Sequence, residues 1–493
     1  MALSALLGGA SCAESEPKVV YEPTAESLAQ HTAEAEWLKD AKLGIYFHWG
    51  PYVVPAYKTE WYPRNMYMPG ELKEHHNATY GEDFEYHDFI PLFTAEKFDP
   101  KDWAELFEAA GARFAGPVAE HHDGFSMWDS DITPWNAKDM GPKRDVLGEL
   151  FAELKKRNLK TIATFHHARN LQRYKETWEK EMERIDMGWR FFESSHYPYQ
   201  LSEQEMMNDP KYKLLYGTME AEEWYDKVWL GKLEEVIDKY SPDIIWFDSW
   251  LDLIPESYRF EFAAYYLNEA QKKNQEVVIV RKQEDLPLDF SILDHEKSRE
   301  PKAQPRLWMT DDTYSMGSWC YTEDLVIKPT DKVVHSLVDA VSKNGVLLLN
   351  ISPMADGSIP ENQRKGLLEL GGWLKKNGQS VYATRPWTVA AEGPTVEPEG
   401  GFAEREAFRN LPYSYKDVRY TASKDGGTVY ATLLGMPAAG DRVELESFDG
   451  IDIKTIKALS GDRINWTWEG DKVVIDFLQP TGEYAYVMAI ELE

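Results

Sequence analysis

Between about residues 40 and 380 one pattern keeps returning: a short apolar run, a polar residue where the run ends, then an amphipathic helical stretch. Leu43–Phe47 runs into His48, and Phe114–Glu120 into His121 and His122. Leu159–Phe165 ends at His166 and His167, and Pro242–Phe247 at Asp248. Glu276–Val280 ends at Arg281, and Gly345–Leu349 at Asn350. Helical spacing fills the intervals over Asp99–Ala112 (Asp99 as N-cap), Asp145–Asn158, Ala221–Tyr240, about 256–274, Lys332–Ser342 and Glu361–Lys376. Strands that are apolar almost throughout and alternate with helices imply a parallel sheet covered on both faces. Polar residues repeated at the C-terminal strand ends fit an α/β fold of the (β/α)8, TIM-like barrel type, whose sites are assembled from several such ends. A doubly wound open sheet is the competing architecture. It more often carries a glycine-rich phosphate turn after its first strand, and none is present. The barrel is therefore expected over residues 31–386, with an aromatic, charged insertion at about 169–220. Its sixth and seventh strands are not placed within the irregular stretch 283–325.

After Pro386 the texture changes to short alternating runs: Val418–Thr421, Thr428–Leu434, Arg442–Phe448, Lys472–Phe477 and Tyr484–Leu492. Turn-forming Gly and Asp separate them, which predicts a C-terminal β-sandwich over 387–493. With no clustered exposed aromatics identifiable there, the sandwich is expected to brace the barrel.

Charge excludes one class of partner. Lys and Arg total 54 against 84 Asp and Glu, a formal charge of −30, and such a field repels phosphate backbones. Nucleic acid is not an expected partner. A polyanionic glycan is disfavoured for the same reason unless a local basic patch offsets it. No run of about 18 apolar residues occurs, so no membrane-spanning helix is expected. The two cysteines, Cys12 and Cys320, exclude a disulfide framework. Residues 1–30 are expected to lie outside the fold. Met1–Pro17 resembles the end of a bacterial lipoprotein signal without its positive n-region, in which Cys12 would be lipidated and the protein exported. The plainer reading is a tail with an incidental cysteine.

Asp248 is the leading catalytic candidate. It closes a buried strand beside Trp246 and Trp250, where a carboxylate can attack an anomeric carbon or stabilise an oxocarbenium ion. A helix N-cap is the alternative use of such an Asp. His48, His121, His122 and His166 stand at strand ends, where imidazoles bond hydroxyls, move protons or ligate metal. A metallohydrolase therefore stays open, although no HExxH, first-strand HxH pair or cysteine cluster occurs, and so does a non-catalytic sugar-binding barrel, against which Asp248 and a candidate acid argue. Glu60, in Thr59-Glu60-Trp61-Tyr62, suits a hydroxyl-binding corner or an ordinary solvated loop. Arg281 suits an ion pair within the site or the barrel rim. Ile292–Glu300 offers Glu296 and Glu300 as acid/base candidates, within what could also be a solvated charge run.

Taken in order, these segments resemble the family-29 glycoside hydrolases, the retaining α-L-fucosidases. The matching pieces are Gly44 through Gly50, Glu60-Trp61-Tyr62, Ala110 through Phe114, and Glu120 through Phe125. Lys143-Arg144-Asp145, Trp246-Phe247-Asp248, Ser342 through Gly345 and Leu347 through Asn350 follow. Pro353, Asp356-Gly357 and Tyr382 through Trp387 complete the set. The resemblance covers about 35–390. It implies a barrel followed by a β-sandwich, no metal or other cofactor, and a fucosylated glycan as substrate. It implies Asp248 as nucleophile, with His48, Glu60, His121 and His122 holding fucose hydroxyls and Trp49, Trp61 and Trp246 shaping the pocket. His166 falls where the family has a Tyr or His touching sugar and nucleophile. Trp308–Tyr321 is similar to the segment ending Trp-Gly-Tyr and places Trp319 at the substrate, but Cys320 replaces the glycine. Leu293-Asp294-His295-Glu296 resembles an Asp-Tyr-Glu segment, which favours Glu296 over Glu300 as acid/base. Arg281-Lys282-Gln283 departs from the more usual Asn-x-Arg, and Arg281 is carried over to the substrate there.

Overall fold

The computed structural model describes residues 19–67, 70–170, 209–217, 219–400 and 405–493. Cys12 and most of the insertion at 169–220 lie outside the described residues. Eight parallel strands close a barrel in sequence order. They are β1 (Leu43–Phe47), β2 (Phe114–Glu120), β3 (Lys160–Phe165), β4 (Ile244–Phe247), β5 (Val278–Arg281), β6 (Ile292–Asp294), β7 (Trp308–Thr313) and β8 (Gly345–Ile351). Closure is direct: β1 pairs in parallel with both β2 and β8.

Side chains alternate across each strand, so one parity fills the barrel and the other meets the helices. Tyr46, Phe114, Val118, Ile162, Ile244, Trp246, Val278, Val280, Met309, Val346 and Leu348 form the interior cluster. Ile45, Phe47, Ala163, Phe165, Ile245, Phe247, Ile279, Leu347 and Leu349 belong to the outer core against the helices. Helix Pro100–Ala109 is capped by Asp99, whose side chain accepts from the N–H groups of Lys101 and Asp102. Asp145 caps Val146–Lys156 in the same way through Gly148 N–H. The helix expected over Ala221–Tyr240 is interrupted. Its middle, Trp224–Leu230, is wound as a π-helix before Gly231–Tyr240 resumes.

The strands of the second layer are β9 (Thr384–Glu392), β10 (Val418–Ser423), β11 (Thr428–Leu433), β12 (Arg442–Leu445), β13 (Ile453–Ala458), β14 (Ile464–Glu469), β15 (Lys472–Phe477) and β16 (Tyr486–Leu492). They form antiparallel sheets ordered β13-β16-β11-β10-β9 and β12-β15-β14 around Tyr420, Val429, Leu445, Ile475 and Met488. The runs anticipated from alternation are β10, β11, β12, β15 and β16. β13 and β14 lie at sheet edges and are largely exposed, so their alternation is too weak to read.

The sandwich is tied to the barrel through buried charge. Asp339, on helix Thr330–Ser342, accepts from Arg419 of β10, stands 3.0 Å from Arg299 Nε and 2.9 Å from Lys343 Nζ. Glu397 takes the other side of Arg419 and Lys343. Each charge of this buried cluster faces a counter-charge, so loss of any one partner would leave another buried and uncompensated.

Candidate active site

Strand parity decides what reaches the mouth of the barrel. Continuing the interior set past each strand end gives His48 after Tyr46, His166 after Thr164, Asp248 after Trp246 and Lys282 after Val280. Within β7 it gives Asp311 after Met309. These residues line one cavity of about 210 Å³ together with Glu60, Trp61, His121, His122, Ser249, Trp250, Glu296 and Trp319. Both histidines after β2 face inward because the pairing of β2 with β3 shifts between Val118 and Glu120. The irregularity turns Glu120 outward, where Lys232 Nζ lies 2.8 and 2.7 Å from its two oxygens and Ser126 Oγ donates at 2.6 Å. Gly124 then turns the chain at φ +80°, and a Cβ there would stand 2.4 Å from the Leu215 carbonyl. Its neighbour Asp123 accepts from Tyr86 OH at 2.5 Å. Burial raises that carboxyl to about 7.

Asp248 is held from several sides. Its Oδ1 lies 3.0 Å from Lys282 Nζ, and its Oδ2 lies 3.3 Å from His122 Nε2 and 3.2 Å from His166 Nδ1. Burial acts to raise its pKa, but the Lys282 charge with His166 and His122 holds it well below the usual carboxylate range. Lys282 Nζ is also 2.9 Å from Glu296 Oε2 and 3.4 Å from Asp311 Oδ2. Burial alone would lower its pKa; Asp248, Asp311 and Glu296 hold it well above the usual lysine value. Glu296 moves opposite to Asp248. Burial raises it, and the charges of Asp311 and Asp248 add to that against the pull of Lys282. One carboxylate is thus kept ionised beside a second biased toward its protonated form, a divergence that marks acid/base work.

The histidines supply neutral polar groups. Asn350 Oδ1 stands 3.0 Å from His48 N and 2.9 Å from His48 Nδ1, while its Nδ2 donates to Thr313 Oγ1 and the Trp319 carbonyl. Nδ1 of His48 therefore carries the proton, and Nε2 is left as an acceptor. Burial lowers the pKa of His48, His121 and His166. Glu60 Oε2 accepts from Ser318 Oγ at 2.7 Å and from Trp319 N–H at 3.2 Å. That fixes the Trp319 indole, which stacks on His48 at 5.3 Å. Cys320 is absent from the residues of positive φ, so this segment does not require a glycine. Across the mouth Arg169 sits over the faces of Trp61 and Trp250, at 5.6 and 4.6 Å.

Two expectations are corrected by parity and a third by depth. Trp49 belongs to the outward set, fully buried against Phe93, Phe98 and Trp103, with Nε1 donating to the Met354 carbonyl. Arg281 likewise points away and donates to the Gln283 carbonyl; its next residue, Lys282, takes the inward place. Trp246 lies one layer below the cavity, its Nε1 donating to Asp294 Oδ2 at 3.1 Å and its ring 4.8 Å beneath Lys282 Nζ. Glu300, the alternative acid/base, is outside the cavity and stands 2.8 Å from His295 Nε2. Sequence reasoning missed Lys282 and Asp311; the two-residue period continued from Val280 leads to Lys282, whereas the strand that carries Asp311 is too polar to read as one.

Among the described residues two groups have metal-ligand character: His48 with His121 and His166, and His122 with His166 and Asp248. In each, one ligand atom per residue lies within 4.8 Å of the others.

Residues 9–379 match the family model described as alpha-L-fucosidase. The rat tissue alpha-L-fucosidase is 32% identical over 416 residues, covering 82% of this chain and 77% of the rat protein. The human tissue enzyme is 30% identical over 481 residues, covering 94% and 90%. Among solved structures, Thermotoga maritima alpha-fucosidase in complex with fucose superposes with a TM-score of 0.72 at 27% identity, covering 95% of this chain and 100% of that one.

Proposed function

The chain belongs to the alpha-L-fucosidase family, and from that premise we propose that it removes terminal α-L-fucosyl residues from glycans with Asp248 as nucleophile and Glu296 as acid/base. It is a glycoside hydrolase that works by double displacement through a covalent fucosyl-enzyme. One observation carries the residue assignment. A single ammonium, Lys282 Nζ, touches Asp248 Oδ1 at 3.0 Å and Glu296 Oε2 at 2.9 Å. The nearest oxygens of the two carboxyls therefore lie no further apart than those contacts end to end. That suits direct attack, as in retaining pairs at about 5–5.5 Å, and not the about 6.5–9.5 Å that leaves room for an intervening water.

In the first step Asp248 forms a bond to the anomeric carbon while the bond to the glycosidic oxygen breaks. That oxygen takes the proton of Glu296. Neutral His48, His121 and His166 offer donors and acceptors to ring hydroxyls, and Trp61, Trp250 and Trp319 exclude water around the sugar. Once Asp248 is esterified its charge is gone, so Glu296 loses a repelling neighbour and keeps Lys282. Its pKa falls, which suits it to take a proton from the water that attacks the anomeric carbon in the second step. Fucose is released as the α anomer and the Asp248 carboxylate is regenerated.

The test is hydrolysis of an aryl α-L-fucoside followed by NMR. Wild-type protein should release the α anomer first, and Asp248→Ala should lose several orders of magnitude and regain rate with azide. A β anomer, or a mutant as fast as wild type, overturns the assignment.

The export reading rests on Met1–Pro17 alone. In a bacterial host a lipid anchor at Cys12 predicts membrane-associated protein that incorporates labelled fatty acid, and Cys12→Ala should abolish both. A soluble, unlabelled wild type counts against it.

A further inference from the structure

On the outer side of the barrel, between the segment after β6, helix Thr330–Ser342 and residues 405–413, a second cavity has the opposite character to the rest of the molecule. Lys297, Arg299, Lys328, Lys332 and Arg409 line it, and Asp312 is the single carboxylate among its described lining residues. This occurs in a chain of net charge −30. Three of the cations are already paired, Arg299 with Asp339, Lys328 with Asp312 and, at the exposed rim, Arg409 with Glu406. Lys332 Nζ, in contrast, donates to the Leu411 carbonyl at 2.9 Å, and Lys297 Nζ lies over the Trp319 ring at 4.1 Å. Neither forms an ion pair among the described residues. Ser298 is fully buried in the same wall, and its Oγ has no hydrogen-bond partner among the described residues. An unsatisfied buried hydroxyl beside gathered cations is costly unless an acceptor enters. The crowding also shows in Lys328, whose pKa burial lowers first and the charges of Lys297 and Arg409 lower further, despite Asp312.

We propose that this cavity binds a tetrahedral oxyanion, sulfate or phosphate, with Lys297 and Lys332 supplying charge, Arg409 shared with Glu406 at the rim, and Ser298 Oγ donating a hydrogen bond. Charge-assisted donors converging on a partly desolvated anion are the strong kind. The anion is either free in solution or an ester on a glycan. Lys297 joins this cavity to the catalytic one, since the Trp319 it covers also lines the latter. The binding itself does not rest on the fucosidase reading.

Thermal unfolding of the full chain in sodium sulfate, sodium phosphate and sodium chloride at one ionic strength tests it. Sulfate or phosphate should raise Tm saturably, by about 2 °C or more above chloride. Ser298→Ala and Lys332→Met should each abolish that increment. Neither residue belongs to the catalytic machinery, so aryl fucosidase turnover persists in both and reports that they fold; Arg409→Gln serves where one does not. An increment that is absent, does not saturate, or is equal in wild type and variants overturns the proposal. Fucosyl oligosaccharides with and without a sulfate ester separate the sources. A KM about tenfold lower for the sulfated compound, lost in Lys332→Met, assigns the ester, and equal KM values beside saturable inorganic binding assign a free anion.

Discussion

Lys282 Nζ lies 3.0 Å from Asp248 Oδ1, buried between that carboxylate and Glu296, the proposed nucleophile and acid/base. Its charge opposes the rise that burial would impose on Asp248 and lowers the pKa of Glu296 as well. Removing it therefore raises both. The acid limb of kcat/KM reports Asp248 ionising and the alkaline limb reports Glu296 losing its proton, so both limbs should move to higher pH in Lys282→Met. At the wild-type optimum the loss should be about 100-fold, for want of one preorganised charge on the reacting carboxylate. Lys282→Arg should retain part of the rate and restore the limbs. A profile that drops without shifting would assign Lys282 a packing role alone.

Glu296 and Glu300 separate by leaving group. Glu296 reaches the cavity, whereas Glu300 is engaged by His295 and Gln304, the latter at 2.8 Å. Glu296→Gln should cost about 100- to 10,000-fold on a fucosyl oligosaccharide, whose alkoxide needs a proton. It should cost much less on an activated aryl fucoside. Glu300→Gln should leave both substrates near wild type. The kcat/KM ratio of the two substrates is the measurement, and a large change in Glu300→Gln would move the acid/base there.

The imidazole cluster also makes a metal prediction. Its ligand atoms fall within 4.8 Å of one another, a looser bound than twice a Zn–N bond of about 2.0–2.1 Å. On the proposed mechanism the carboxylate pair needs no Lewis acid. EDTA followed by assay in chelator-treated buffer should leave kcat/KM unchanged, whereas added Zn²⁺ should inhibit competitively by drawing His48, His121 and His166 together. Loss of activity with EDTA, restored by Zn²⁺, would transfer the chemistry to a metal.

The barrel was legible because each of its longer strands is nearly continuous apolar sequence ending in a polar residue. β6 and β7 escaped for a physical reason. β6 has three residues, and β7 carries Thr310, Asp311 and Asp312 in its middle, so neither looks like a buried strand. Asp311 is nonetheless tolerated there, because Tyr46 OH donates to it at 2.8 Å and Lys282 is close by. In the site, the polar residue at a strand end was visible, but which of two neighbours turns inward was not. His48 and Trp49 are adjacent, as are Arg281 and Lys282, and only the two-residue period continued from Tyr46 and Val280 separates them. A strand irregularity such as that before Glu120 breaks even this rule, and it has no sequence mark that alternation alone reveals.

Asp339 should govern how barrel and sandwich unfold. Its side chain is fully buried and faces Arg419, Arg299 and Lys343, which come from three different segments. Burial by itself would raise its pKa, but Lys343, Arg419 and Arg299 depress it strongly. A carboxyl depressed in the folded state contributes stability that is present in full above its unfolded pKa of about 3.9. That contribution is lost as pH falls from there through the folded value. At pH 7 Asp339→Asn should cost about 3–5 kcal/mol, because it leaves buried cations without their counter-charge. Urea unfolding of wild type and variant, followed at pH 7, 5 and 3, checks the sign. The gap should be equal at pH 7 and 5 and narrower at pH 3. A gap that stays constant to pH 3 would mean that Asp339 works through packing and hydrogen bonds alone and not as a charge.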